Sequence, residues 1–156
     1  MPLVQLALAF MVLTVFVTVE LSSANHAGNT VRVNNAVTNV LALRNNVHDG
    51  YRGRSDYTGI TIAVADNNGW TPNSLQGGRG PLNTTLQLAD AGDRQFNIII
   101  GNLTATDNQT LCQALATKQA GAWQESQIDG TPVDGLGIQA IVDACKSADT
   151  ITLRSY

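Results

Sequence analysis

The chain has 156 residues, which is enough for one domain with its own hydrophobic core. Charged residues make up only 13% of the chain and aromatic residues only 5%. Together with a net charge of -3, this composition argues against a protein that binds nucleic-acid phosphates, because such a protein needs a basic stripe.

The N-terminal segment is a nearly continuous apolar run. Residues 3–19 carry no charge, and as a helix they would span about 25 Å, slightly less than the hydrocarbon core of a bilayer. A secretory signal peptide is the alternative interpretation, but its basic start is missing, since the first Lys or Arg is Arg32. We therefore expect a mature chain whose leader has been removed before Met1. Glu20 ends the run and would need a basic partner or the membrane interface.

From Asn25 onward the pattern becomes amphipathic. Apolar side chains at helical spacing share one broad face of a helix, which predicts that this face docks on a folded domain. The predicted face consists of Val33, Ala36, Val37, Val40, Leu41, Leu43, Val47 and Tyr51. Arg44 lies on the same face, either with an apolar stem and its charged group at the edge, or paired with an acid such as Glu20 of a neighbouring molecule. Gly50 and Gly53 are predicted to end the helix.

Residues 1–51 thus predict one helix about 75 Å long, which is longer than the rest of the chain can cover. Something outside the chain would have to bury part of it. We expect two regions: residues 1–24, the hydrophobic half of the helix, and residues 25–156, a globular head that includes the amphipathic half.

The central part of the chain is rich in turns and then in β signals. A short strand is predicted at Gly59–Val64 within a glycine-rich stretch. Alternation over Leu82–Ala89, a turn at Asp90–Asp93 and the run Phe96–Ile100 predict an antiparallel hairpin with a loop of about four residues.

The C-terminal part predicts two short helices and a last strand. The first helix covers Thr104–Lys118, capped by Thr106 or Asp107, and the second covers Ile138–Lys146. The stretch 120–134 between them reads as polar and turn-rich. Residues 150–156 alternate and are β-branched, so we expect a strand that closes the sheet begun by the hairpin.

The two cysteines, Cys112 and Cys145, fall on the two predicted helices. An even pair in a chain with an export-like N-terminus predicts one disulfide and an oxidising compartment, with two buried free thiols as the alternative. By the loop-entropy model such a bridge would contribute roughly 3–4 kcal/mol.

No arrangement of catalytic or metal-binding residues emerges. His26 and His48 are far apart on the predicted helix, and the cysteines and histidines lack zinc spacing. Asp66–Gly69 lacks the ligands of a calcium loop and predicts a turn, and Gly77–Pro81 lacks the ending of a phosphate loop. We therefore predict no catalytic, cofactor-binding or metal-binding residues, no cofactor and no enzymatic activity.

These features together resemble the type IV pilins. Met1-Pro2-Leu3-Val4-Gln5-Leu6 looks like a mature pilin start, and Tyr51-Arg52-Gly53-Arg54-Ser55-Asp56-Tyr57 resembles the segment that ends the long helix in type IVb pilins of enteric bacteria. The Cys pair before a closing strand also matches. The resemblance implies an α+β fold: a long N-terminal helix packed on a head with a small antiparallel sheet and a C-terminal region linked by a disulfide.

The resemblance also implies a function. The chain would assemble through its N-terminal helix into a homo-oligomeric helical filament, first resting in the inner membrane and then exposed on the cell surface. Its partners would be a prepilin peptidase and the inner-membrane assembly machinery, with no nucleic acid, and methylation of the N-terminus is implied. The filament would serve adhesion, aggregation or conjugative contact between cells.

Assembly would depend on Met1 and Gln5 at the N-terminus. The family usually has Glu at the fifth position, where it is thought to attract the N-terminal amine of the next subunit, whereas this chain has neutral Gln5. A minor pilin is therefore one alternative. A pseudopilin of a secretion system and a binding domain on a single membrane anchor are two others.

Overall fold

The computed structural model describes residues 28–118 and 120–156. Residues 28–50 are helical and form α1. The predicted apolar face of α1 is confirmed, since its members are buried and Leu41 packs against the core from a half-buried position. The buried members are Val33, Ala36, Val37, Val40, Leu43, Val47 and Tyr51. Residues Val33–Tyr156 form one compact unit, which we call the head.

A five-stranded antiparallel sheet lies in the head. Its strands are β1 (Thr85–Gly92), β2 (Gln95–Gly101), β3 (Glu125–Ile128), β4 (Thr131–Pro132) and β5 (Thr150–Ser155), in the order β1-β2-β5-β3-β4. The prediction that the last strand joins the hairpin is confirmed, because β5 pairs with β2 in a register that sets Phe96 opposite Ser155. One hydrophobic cluster contains the apolar face of α1 and alternate side chains of β1, β2 and β5.

The β1–β2 hairpin is confirmed, but its loop is tighter than predicted. Only Asp93 and Arg94 separate the strands, with φ of 47° and 61°, and the register shifts between Asp90 and Gly92. A two-residue turn with positive φ matches the twist of paired strands, and the bulge absorbs the remaining residue. Leu82 lies before the strand, in a short 3-10 turn at Pro81–Asn83.

The predicted strand at Gly59–Val64 is wrong. The chain there forms α2, which spans Ile62–Asn67. Thr61 caps this helix, with its hydroxyl accepting a hydrogen bond from the Val64 N–H at 3.2 Å, and Ala65 is fully buried. A side-chain cap and one buried small residue thus outweigh the β propensity of Ile60, Thr61 and Ile62. Two further 3-10 segments, Asn73–Gly78 and Ala120–Ala122, complete the short helical turns.

The stretch 120–134 contains structure that the sequence prediction missed. Strand β3 pairs with β5 and with the short β4, and Asp129 and Gly130 connect β3 to β4 with φ of 47° and 78°. An Asp-Gly pair is a strong hairpin signal, because both turn positions require positive φ. The polar side chains around it had suggested an irregular loop.

The two C-terminal helices are present. Helix α3 (Thr106–Gln113) continues into a π-helical turn at Ala114–Lys118, and α4 spans Ile138–Cys145. The predicted cap is wrong, since Ala105 occupies the N-cap position and no side chain caps α3 there. Asp107 lies in the first turn instead, where a carboxylate interacts favourably with the helix dipole.

Within the part of the chain that the structure describes, no helix combines the length and the apolar character needed to cross a membrane. The run 3–19, together with Met1, Gln5, Glu20 and His26, lies outside the described residues. The predictions made on those positions, and on the region 1–24, concern that part of the chain.

Candidate functional site

The apolar face of α1 is the first candidate feature. Val40, Leu43 and Val47 are fully buried, and burial of each such side chain contributes about 1.5–3 kcal/mol. Hydrogen bonds flank this face, since Asn39 Nδ2 donates to Ser74 Oγ at 3.0 Å and Asn46 Nδ2 donates to the Trp70 carbonyl at 2.8 Å. The helix is therefore an integral part of the head from Val33 onward.

Arg44 interrupts this face, and its charge is held within the head. Its Nε donates to Ser155 Oγ at 2.7 Å, and its guanidinium lies 5.8 Å from the centroid of the Trp123 ring. A second donor, Nη1, reaches Asn45 Oδ1 at 3.2 Å. Neither interpretation of the sequence included Ser155, because 111 positions separate the two residues and β5 brings them together.

The disulfide is the second candidate feature, and its prediction is confirmed. Cys112 on α3 and Cys145 at the end of α4 are bonded, with a Cα–Cα distance of 5.8 Å, and both are fully buried. Gln109 Nε2 also donates to the Lys146 carbonyl at 3.0 Å, which gives the two helices a second link. The bridge therefore ties α4 to α3 within the head.

The third feature is an open cleft at the C-terminal end of α1, with a volume of about 270 Å³. We call it the basic cleft, because Arg52, Arg54 and Arg94 line it together with His48. These three arginines are a third of the nine Lys and Arg residues in the chain. Basic side chains thus outnumber the one acidic side chain of the lining, Asp56, on a protein that is acidic overall.

The fold explains why distant segments meet at this cleft. The β2–β5 register sets Phe96 opposite Ser155, so the β1–β2 turn with Arg94 lies beside Tyr156. The Tyr57 ring packs on the Phe96 ring with centroids 4.8 Å apart, which brings the segment after α1 to the same edge. The sequence alone does not reveal the cleft, because these contacts depend on the register of the sheet.

Two tyrosines are among the residues that line the basic cleft. Tyr51 and Tyr57 are buried with ring centroids 4.9 Å apart, and the Arg54 guanidinium lies 5.0 Å from the centroid of Tyr51. Burial raises the pKa of Tyr57 above its ordinary value of 10, and the nearby charge of Arg44 opposes that shift. The Tyr57 hydroxyl therefore keeps its proton at neutral pH and can donate a hydrogen bond.

Two acidic side chains lie near these arginines. Asp49 Oδ1 is 3.2 Å from Arg52 Nη2, but both side chains are largely exposed, so this pair contributes little to stability. Asp56 lines the cleft and accepts a hydrogen bond from the Thr58 N–H at 3.1 Å, as in an Asx turn. Within the described chain, no acidic side chain lies at ion-pair distance from Arg54 or Arg94.

A smaller groove of about 200 Å³ lies between the π-helical turn and α4. Two exposed apolar side chains mark its edge, Leu136 with 47% and Ile138 with 72% of its surface accessible.

No group of three or more His, Cys, Asp or Glu side chains with metal-binding geometry occurs among residues 28–118 and 120–156.

Comparison of the chain with protein-family models, with curated proteins and with solved structures finds no match.

Proposed function

We propose that the chain is a structural subunit of a type IVb pilus, an extracellular filament of many identical subunits. The proposal depends chiefly on one observation. The apolar face that the head buries begins at Val33, while the sequence upstream contains 17 consecutive uncharged residues, 3–19. Such a segment needs a membrane or other subunits to bury it.

The head is compatible with this proposal. It combines an N-terminal helix, a five-stranded antiparallel sheet and a buried disulfide between Cys112 and Cys145. A disulfide forms and persists in an oxidising compartment, so it would stabilise a subunit that is exported from the cytosol. The inner membrane, the assembly machinery and a prepilin peptidase would be its partners before assembly, and the cell surface its final location.

Filaments sheared from cells that express the chain test the proposal. We expect the chain to be the repeating unit in a cryo-EM map of such filaments, with its N-terminal segments packed in the filament core. Recovery of the full chain only as membrane-bound monomers, with no filament containing it, would refute the proposal and favour a domain on a single membrane anchor.

A matched pair of variants separates assembly from folding. Leu8→Asp places a carboxylate in the apolar run, and we expect it to abolish filaments because burying that charge is costly. Asn34→Asp adds the same charge on the exposed side of α1 and should leave filaments in place. The Cys112–Cys145 bridge should form in both variants, which would show that the head still folds.

A further inference from the structure

We propose that the basic cleft binds a sugar that carries a carboxylate or phosphate group. The site is separate from the assembly function proposed above and does not depend on it. Three observations support it: arginines from two segments in one cleft, an arginine held in a costly backbone conformation, and tyrosines in the same lining.

The first observation is the convergence of charge. Arg52 and Arg54 follow α1, and Arg94 comes from the β1–β2 turn, so two separate segments contribute arginines to the lining of one cleft, against a single acidic residue, Asp56. A guanidinium offers a planar pair of N–H donors that matches the oxygens of a carboxylate or phosphate. Arg54 and Arg94 are exposed and have no acidic side chain of the described residues at ion-pair distance, so their guanidinium groups are available to an anionic ligand.

The second observation is the backbone of Arg94. Its φ of 61° lies in the left-handed region, which costs a residue with a Cβ roughly 1–2 kcal/mol and is usually occupied by Gly or Asn in such turns. Glycine at this position would give a more stable turn. A residue that costs stability at the mouth of a cavity indicates a function for its side chain.

The third observation concerns the ligand's shape. Tyr51, Tyr57 and Tyr156 are all among the residues that line the cleft, and Tyr156 has 57% of its surface accessible. The Tyr156 hydroxyl accepts a hydrogen bond from Gln124 Nε2 at 2.7 Å, which positions the ring. Aromatic faces pack on the C–H face of a sugar. A cleft of about 270 Å³ can hold one sugar ring but not a long oligosaccharide.

The test measures binding of three sugars to the purified full chain in detergent micelles by isothermal titration calorimetry and by ligand-observed NMR. The probes are glucuronate, glucose 6-phosphate and glucose, which share one ring and differ in the acidic group. We expect glucuronate or glucose 6-phosphate to bind at least about tenfold more tightly than glucose. The reason is that their acidic group can accept charged hydrogen bonds from the arginines of the cleft, whereas glucose has no such group. Which of the two binds more tightly identifies the acidic group.

Variants locate the site. Arg94→Gly should weaken binding of the preferred acidic sugar at least about tenfold. The melting temperature of this variant should stay equal or rise, because glycine adopts the positive φ of the turn without strain. Arg54→Met provides a second test in a residue with ordinary backbone geometry. Arg79→Met removes an exposed arginine outside the cleft and should leave binding unchanged.

Equal binding of all three sugars, no binding of any, or unchanged affinity in both Arg94→Gly and Arg54→Met would overturn the proposal. Concentration-dependent self-association of the chain that Arg94→Gly abolishes, without sugar binding, would instead assign the cleft to an acidic segment of a neighbouring subunit. Because none of these measurements requires filaments, their failure would leave the proposed assembly function untouched.

Discussion

Replacing Gly50 by Ala sets two opposing effects against each other at the last residue of α1. Glycine is a poor helix former, so a Gly→Ala change in a helix normally stabilises by up to about 1 kcal/mol. At Gly50, however, an added Cβ would lie 2.3 Å from Cε2 and 2.4 Å from Cζ2 of Trp70. The indole occupies the space of the missing side chain.

Steric cost outweighs propensity here, because hydrogen bonds hold the Trp70 backbone in place and its ring packs against Tyr51. Its backbone N–H donates to the Ala65 carbonyl at 2.9 Å, its backbone carbonyl accepts from Asn46 Nδ2 at 2.8 Å, and its ring packs edge-on against Tyr51 with centroids 5.4 Å apart. Overpacking of this kind costs about 1–3 kcal/mol. After subtracting a propensity gain of about 1 kcal/mol, we expect Gly50→Ala to destabilise the head by up to about 2 kcal/mol.

Urea denaturation of residues 25–156, followed by circular dichroism, measures this effect. Gly28→Ala is the matched control, because Gly28 lies in the same helix with nothing within 4 Å of an added Cβ, so it should be neutral or slightly stabilising. Trp70→Leu should remove most of the penalty of Gly50→Ala in the double variant. If Gly50→Ala stabilises the head as much as Gly28→Ala does, the steric explanation is wrong.

Three further predictions concern other parts of the head. Replacing both Cys112 and Cys145 by Ala should cost roughly 3–4 kcal/mol and lower the melting temperature by about 10–15 °C, and an unchanged thermal scan would contradict this. Because the folded-state pKa of Tyr57 is raised, its contribution to stability is complete below pH 10 and falls as the pH rises further, so the loss of stability above pH 10 should be smaller in Tyr57→Phe. Asp129→Ala removes the acceptor of the N–H and hydroxyl of Thr150 and should cost about 1–3 kcal/mol in urea denaturation, whereas Asp129→Asn should retain most of the stability.

Periodicity in the sequence was sufficient to predict the helices and strands that bury one face. The helical spacing from Val33 to Tyr51 identified the docking face of α1, because a 3.6-residue repeat specifies its buried side directly. The alternation in β5 likewise separated buried Ile151 and Leu153 from their half-buried neighbours. These patterns are local, so they can be recognised in the sequence without knowledge of the tertiary structure.

The prediction failed where a side chain or a distant strand decides the local structure. Thr61 caps a helix in a stretch whose β-branched residues predicted a strand. Ser126 is buried in β3 only because β5 pairs beside it, and its polar neighbours concealed that strand. The basic cleft could not be predicted either, because Arg94 and Tyr156 meet only through the β2–β5 register.

The geometry of α1 makes the two proposed roles experimentally separable. Tyr51 belongs both to the buried face of the helix and to the wall of the basic cleft, so replacing it would disturb the fold and the cleft together. Arg54 and Arg94 are exposed and lie after the helix and in the β1–β2 turn, outside the hydrophobic cluster. Loss of sugar binding through these arginines therefore need not alter the folded head or the N-terminal segment through which we expect the filament to assemble. A filament built from Arg94→Gly subunits that no longer binds the acidic sugar would demonstrate that separation.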